Sequence, residues 1–479
     1  MNPTPLVPGP WPALLSPVMA TGEFDPAGPL AMVVFLPLVG ALLLGFAPKP
    51  VVRVLGRVAV LWTLPGALFL LAAAWFGASG HSVVGVRWLE RLPAGAGLVL
   101  SVWNIVPALL VGLTAPLAVL VAEPREKTPA RAGWLLVLAS STQAALLAAG
   151  PGMAILGWVG GTWALFFLLG EADAEDQGRK ASGPFVVHAL ACACVLAAGL
   201  SPGLLPLLVL AAAIRLGVPP FHGPLARAFE VLPTGAVLLI GVGFTTTGLL
   251  AAHDGTLALA RAGGTGALAL GFAAALAALW AGLVALPQDD LRRRVAGFLS
   301  AQGAMWLALL ALVDPALARP AVGGWALVTL VALVAIVVAY ARLWAFARTG
   351  DLRAYGGLGQ VALLRSTLLL VAFAALLAAP FLGARGRGAA ALVAALVASP
   401  LAGGALALGG ALGCLALGLA IYRTIRGQAA MPLPAPDLSG REWAFLALFA
   451  ATLIFVSSLG PEVGGLGSLW PVFASAETP

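Results

Sequence analysis

Apolar runs long enough to cross a bilayer follow one another along almost the whole chain, with short polar stretches between them. A membrane helix needs about 20 mostly apolar residues. Fourteen segments read as spans: 30–47, 55–78, 101–122, 132–149, 151–170, 184–200, 203–222, 233–252, 264–286, 295–313, 321–345, 362–383, 401–422 and 442–460. The apolar piece 388–399 is too short to span alone and reads as a half-helix continuing 362–383. The runs are Leu, Ala, Val and Gly without alternation, which argues against a barrel. Only 9% of residues are charged, against about 25% in an ordinary soluble domain. So little charge cannot cover a water-exposed surface. The predicted class is an all-α membrane protein of about 14 transmembrane helices, with the lipid bilayer as a partner.

The net charge of +7 is not a nucleic-acid signal, because the basic residues sit in alternate loops and not in one patch. One set of loops carries 18 of them, from Lys49, Arg53 and Arg57 through Arg292, Arg293 and Arg294 to Arg441; the other carries six, from Arg87 to Arg387. Such an excess marks the cytoplasmic side. Both termini are then outside, and the membrane is the cell inner (plasma) membrane. No basic region precedes the first apolar run, so a cleaved signal peptide is not expected. Cys192, Cys194 and Cys414 lack His neighbours and give no metal pattern. They read as small packing residues. No catalytic residue, metal site or cofactor is expected.

The short loops divide the chain into a tail (1–29), three helices (30–122), two groups of five helices (132–252 and 264–422), and a last helix with its tail (442–479). In segment 206–222 an apolar helix carries Arg215 and then meets Gly217, Pro219 and Pro220. Proline removes a backbone donor and clashes with the preceding turn, so the helix should break in mid-membrane. A weaker interruption at Pro380–Gly388 makes 362–398 a second broken helix. Each break falls in the fourth helix of its group. Matched breaks in two halves mark transporter folds, and an odd number of helices makes consecutive repeats inverted.

The stretch from Ile214 and Arg215 through Pro219 and Pro220 to His222 resembles the Lys-x-x-x-x-Pro-x-His motif of the antiporter-like membrane subunits of respiratory complex I, the L, M and N chains, relatives of Mrp-type antiporters. Ala228 to Thr234, with Leu232 and Pro233, looks like that family's Ala-x-x-x-Ala-Pro-Thr. Gln288, Asp290, Leu291, Arg292 and Ala296, followed by Gln302, are similar to its Gln-x-Asp-Leu-Lys block. Gly356, Gly357 and Leu358 resemble the Gly-Gly-Leu before the twelfth helix. The likeness covers roughly residues 30–425. Asn104, ten residues before Thr114, sits where M-type chains carry Asp, which fits the M type best; no lateral helix follows 442–460, which favours a divergent M- or N-like chain over L. The resemblance implies a proton-translocating membrane-arm subunit of an NADH-quinone oxidoreductase, partnered by other hydrophobic subunits, with redox chemistry elsewhere.

The same resemblance implies a buried Glu on the fifth helix facing a Lys on the seventh, with the relay continuing to the twelfth. Here Val159 reads as the residue in the Glu position, Arg215 replaces the Lys, Thr245 or Thr246 falls at the eighth-helix Lys, and Ala384 stands for the twelfth-helix Glu. No acidic residue falls near the centre of a span; Glu171 and Glu230 come nearest. Arginine stays charged and does not cycle a proton. The channel is therefore expected to be degenerate. Arg215 needs partners, and the carbonyls freed by the break come first, then Glu230 or an anion. His222 and His188 are the remaining groups of a type that takes and gives protons, though each also reads as a hydrogen-bonding or packing residue. The path candidates are thus Arg215, His222, His188, Thr245 and Thr246, with Gly217, Pro219 and Pro220 as the break. Thr hydroxyls also bond their own helix. Arg292, Arg293 and Arg294 read as a topology anchor, and Arg365 as a snorkelling edge residue. A related cation/proton antiporter, an inorganic-carbon uptake transporter and a structural scaffold stay open as alternatives.

Overall fold

The computed structural model describes residues 27–46, 59–78, 87–88, 97–100, 104–121, 128–172, 177–347, 351–382 and 386–428, and 447 by itself. The expected last span, 442–460, lies outside this set apart from that one residue, and so does Ala384.

Helices dominate because a chain in lipid must satisfy its backbone internally. Three open the described chain: α1 (Ala27–Phe46), α2 (Leu64–Ala78) and α3 (Ile105–Val121). A two-residue antiparallel pair, Arg87–Trp88 with Leu98–Val99, lies between α2 and α3. The first group of five follows as α4 (Pro129–Leu146), α5 (Pro151–Ala172), α6 (Gln177–Leu200), the interrupted pair α7 (Leu207–Arg215) and α8 (His222–Val231), and α9 (Thr234–Arg261). The second is α10 (Thr265–Ala285), α11 (Leu291–Leu312), α12 (Pro315–Ala347), the interrupted pair α13 (Leu363–Leu382) and α14 (Arg387–Ala398), and α15 (Pro400–Arg426). In each group the fourth helix is the broken one, as expected. The first break falls between Arg215 and His222, at Gly217, Pro219 and Pro220 as expected, but the helix it interrupts starts and ends later than the expected span 203–222. Residues 202–204 form a separate 3-10 turn, and the interrupted helix is 207–231.

Among the described residues nine helices are long and apolar enough to cross a membrane. Their outer faces are apolar too. On α10, Leu268, Phe272, Leu276, Trp280 and Leu283 recur at three- and four-residue steps and are all exposed, so one stripe of the helix faces outward. A contiguous surface of that kind needs lipid or another apolar subunit. The protein is an all-α multi-pass membrane protein.

The centre is α9. Its most apolar 18-residue stretch is wholly buried, and at about 1.5 Å per residue its 28 residues reach about 42 Å. Small residues let the helices approach. A Cβ on Gly409 would fall 2.6 Å from the Ala278 carbonyl carbon, so α15 and α10 meet backbone to backbone. Packing at that distance is how membrane helices gain dispersion energy without a hydrophobic drive.

Candidate functional site

The first break follows from its sequence. α7 ends at Arg215, and Gly217 takes a φ of 64°, a left-handed conformation that a Cβ disfavours. Pro219 and Pro220, joined by a cis peptide, supply no N–H. The N–H groups of Leu216, Gly217 and Val218 donate to the carbonyls of Ala212, Ile214 and Ala213 at 2.8, 3.2 and 2.8 Å. Those three carbonyls are taken by backbone donors, and Arg215 donates to α5 instead, which corrects the expectation that carbonyls at the break hold it.

Arg215 is 3% exposed and does not snorkel. It turns to α5 and α9. One terminal nitrogen donates to the Trp158 carbonyl at 2.8 Å and to the Thr162 hydroxyl at 3.2 Å. Its guanidinium carbon lies 3.8 Å from the centroid of the Phe244 ring and 4.5 Å from that of Trp158. Ring faces attract a cation, by about 2 kcal/mol when desolvated. Glu230, the alternative partner, is engaged elsewhere: it pairs with Arg227 at 3.1 Å and with Arg293 at 2.9 Å. Among the described residues no carboxylate forms an ion pair with Arg215.

The α5 position facing the guanidinium is Gly161, not Val159. A Cβ on Gly161 would lie 3.7 and 3.8 Å from the two terminal nitrogens. Val159 is instead a partly buried packing residue. Two residues turn a helix by about 200°, so a register error of two selects the wrong face. Thr162, one residue on, donates to the Trp158 carbonyl at 2.9 Å and lies 3.3 Å from Cys192 Sγ, which brings Cys192 to the polar edge of the site.

His188 is 2% exposed and meets Phe244 edge-on at 5.2 Å, so one ring carries both His188 and Arg215. Thr245 and Thr246 follow Phe244 on α9 and are buried. Thr246 donates to its own helix, at Val242 and Gly243, 2.9 and 3.0 Å away, which is the packing alternative. A Cβ on Gly248 would meet Arg215 Cβ at 3.1 Å, so this turn of α9 lies against α7. The structure therefore brings Arg215 and His188 together at Phe244; Thr246, about 200° round α9 from Phe244, bonds its own helix on another face. His222 stands apart. It opens α8 beyond the break and lines a cavity of about 310 Å³ with Arg227, Glu230, Gln288, Arg293 and Ser300.

Three further features escaped the sequence reading. α9 runs past the expected end at 252, so Asp254 lies within the helix. Its carboxylate is 3.0 Å from His253 Nδ1, and both side chains are 10% exposed or less. The helix runs nine residues, about two and a half turns, past the expected end. Arg365 is 0% exposed and donates to the Ala339 carbonyl at 3.0 Å, so it does not snorkel; it sits against α12. Arg292 and Arg294 tie helix ends together. Arg292 donates to the Glu230 and Leu232 carbonyls at 3.2 and 2.9 Å, and Arg294 to those of Leu286 and Ala416, both at 3.0 Å.

Residues 180–412 match the family model described as NADH:quinone oxidoreductase/Mrp antiporter, transmembrane region. A search of curated proteins finds no match. Solved structures share the fold. A chain of respiratory complex I from Thermus thermophilus with bound NADH superposes with a TM-score of 0.75 at 21% identity, covering 91% of this chain and 97% of that one. A chain of the membrane-bound sulfane sulfur reductase, an archaeal respiratory membrane complex, gives 0.74 at 18%, covering 89% and 76%. A chain of the Mrp complex from Dietzia sp. gives 0.70 at 17%, covering 91% and 96%.

Proposed function

We propose that this chain, whose residues 180–412 belong to the NADH:quinone oxidoreductase/Mrp antiporter transmembrane family, is a membrane-arm subunit of a complex I-like quinone oxidoreductase whose own proton path is interrupted at Arg215. The observation that carries this reading is the double clamp on Arg215: two aromatic faces, one carbonyl and one hydroxyl. A relay needs a group that gives up its proton and takes it back. A guanidinium keeps its charge, and Gly161 offers no carboxylate to modulate it. The cavity at His222 is then a vestibule that ends at the break.

The apolar outer faces support assembly with other hydrophobic subunits. The excess of basic residues in alternate loops supports placement in the inner membrane with both termini outside. The two matched breaks support a pair of inverted five-helix repeats.

Purification of the native assembly with identification of its companion chains tests the first half of the proposal. A set of quinone oxidoreductase chains is expected; a single partner chain would show a two-subunit transporter instead. The second half is tested by the double substitution Arg215→Lys with Gly161→Glu, which places an amine and a carboxylate face to face. Proton transfer per turnover in sealed vesicles should rise. An unchanged ratio would place the interruption elsewhere.

A further inference from the structure

We infer that Arg215 binds a small monovalent inorganic anion, chloride or one of similar size and charge, inside the first helix group. Three observations lead there. The first is charge balance. Arg215 is 3% exposed, and among the described residues no carboxylate neutralises it. Ring faces and neutral acceptors polarise toward a cation, but they carry no net negative charge. A buried ion without a counter-charge is unfavourable, and proteins pair such ions.

The second observation is a group of unused polar nitrogens. Arg215 Nε, Trp158 Nε1 and His188 Nδ1 are all buried and bond nothing in the structure. Their side chains are 3%, 1% and 2% exposed. Arginine and indole nitrogens are donors only, and an imidazole donates from Nδ1 in one tautomer. All three belong to one neighbourhood, because Arg215 contacts both Trp158 and Phe244, and His188 contacts Phe244. Buried donors are rarely left unmade in native proteins. Donors gathered beside an unneutralised cation select a negative ligand.

The third is the missing side chain at Gly161. A Cβ there meets the two terminal nitrogens of Arg215 at 3.7 and 3.8 Å, ordinary contact distances, so the position facing the cation carries hydrogen only. The anion serves as a mobile counter-charge where a fixed one is lacking. This inference goes beyond the proposed function, because the site stands whether or not protons pass.

The test uses the native assembly in lipid nanodiscs, exchanged into gluconate buffer. Chloride and bromide are titrated while the thermal unfolding midpoint of this chain is followed. A saturable rise with chloride and bromide, absent with added gluconate, is expected. Arg215→Met should abolish the response. Gly161→Asp, which supplies a fixed carboxylate, should weaken apparent chloride affinity by about tenfold or more. Iodide should quench a saturable share of tryptophan fluorescence that Trp158→Phe removes. Identical chloride and gluconate curves in the unmodified protein would overturn the inference, as would a chloride response that survives Arg215→Met. Should Arg215→Met fail to fold, the unmodified curves and Gly161→Asp still decide. None of these outcomes alters the companion-chain result, so the two proposals fail separately.

Discussion

At the first break α7 stops at Arg215 and Gly217 turns the chain at a φ of 64°; at the second, α13 stops at Leu382 and Gly386 does so at 80°. The surroundings differ. α9, the helix after the first break, has its most apolar stretch 100% buried, against 44% for α15, the helix after the second, and 33% for the broken α13 itself. The arginine of the first group sits at the end of the broken half-helix, between two rings. Arg365 of the second sits near the start of α13, far from the break, and bonds to the Ala339 carbonyl. An interruption deep in protein comes with a charged residue and aromatic walls. One beside the outer apolar face is closed by backbone packing, with Gly388 against Pro380. Among the described residues the first break carries a buried arginine, Arg215, whereas Arg387 at the second is half-buried.

That contrast can be broken in graded steps, each read as a change in the thermal unfolding midpoint of the assembly. Trp158→Ala removes a 1% exposed indole and one wall of the Arg215 clamp; a loss of about 3–5 kcal/mol is expected. Gly217→Val combines a left-handed β-branched residue with a Cβ 2.7 Å from Leu225 Cδ2; about 2–4 kcal/mol should go. Gly388→Val has no such strain but meets the Pro380 carbonyl oxygen at 2.7 Å, and about 1–3 kcal/mol is expected. If Gly388→Val costs more than Gly217→Val, the second break is the more tightly determined and the comparison reverses. Tyr340→Phe loses one hydrogen bond to Thr424, 3.1 Å long, and should cost about 0.5–1.5 kcal/mol.

The helices and both breaks were legible because span length and proline chemistry act locally. Leu207–Val231 had to break wherever Pro219 and Pro220 fell. The end of α9 was not legible, because Asp254 and His253 satisfy each other inside a helix that a hydropathy window closes at 252. The site was half visible. Arg215 and His188 stood out by charge type, but the clamp did not, since Trp158 and Phe244 are separated by 86 positions and read as ordinary apolar residues. Gly161 was missed because a helix face is set by packing, and the Trp-centred pattern that pointed to Val159 fixes no face. The burial of Arg365 depended on α12 lying against it, which no local pattern encodes.

The most direct measurement is the number of protons moved per turnover by the native assembly in sealed vesicles, with Arg215 intact and with Arg215→Met. A cation that never gives up its proton adds nothing to the count, so the two ratios should agree. A lower ratio in Arg215→Met, at unchanged assembly and electron-transfer rate, would contradict the account.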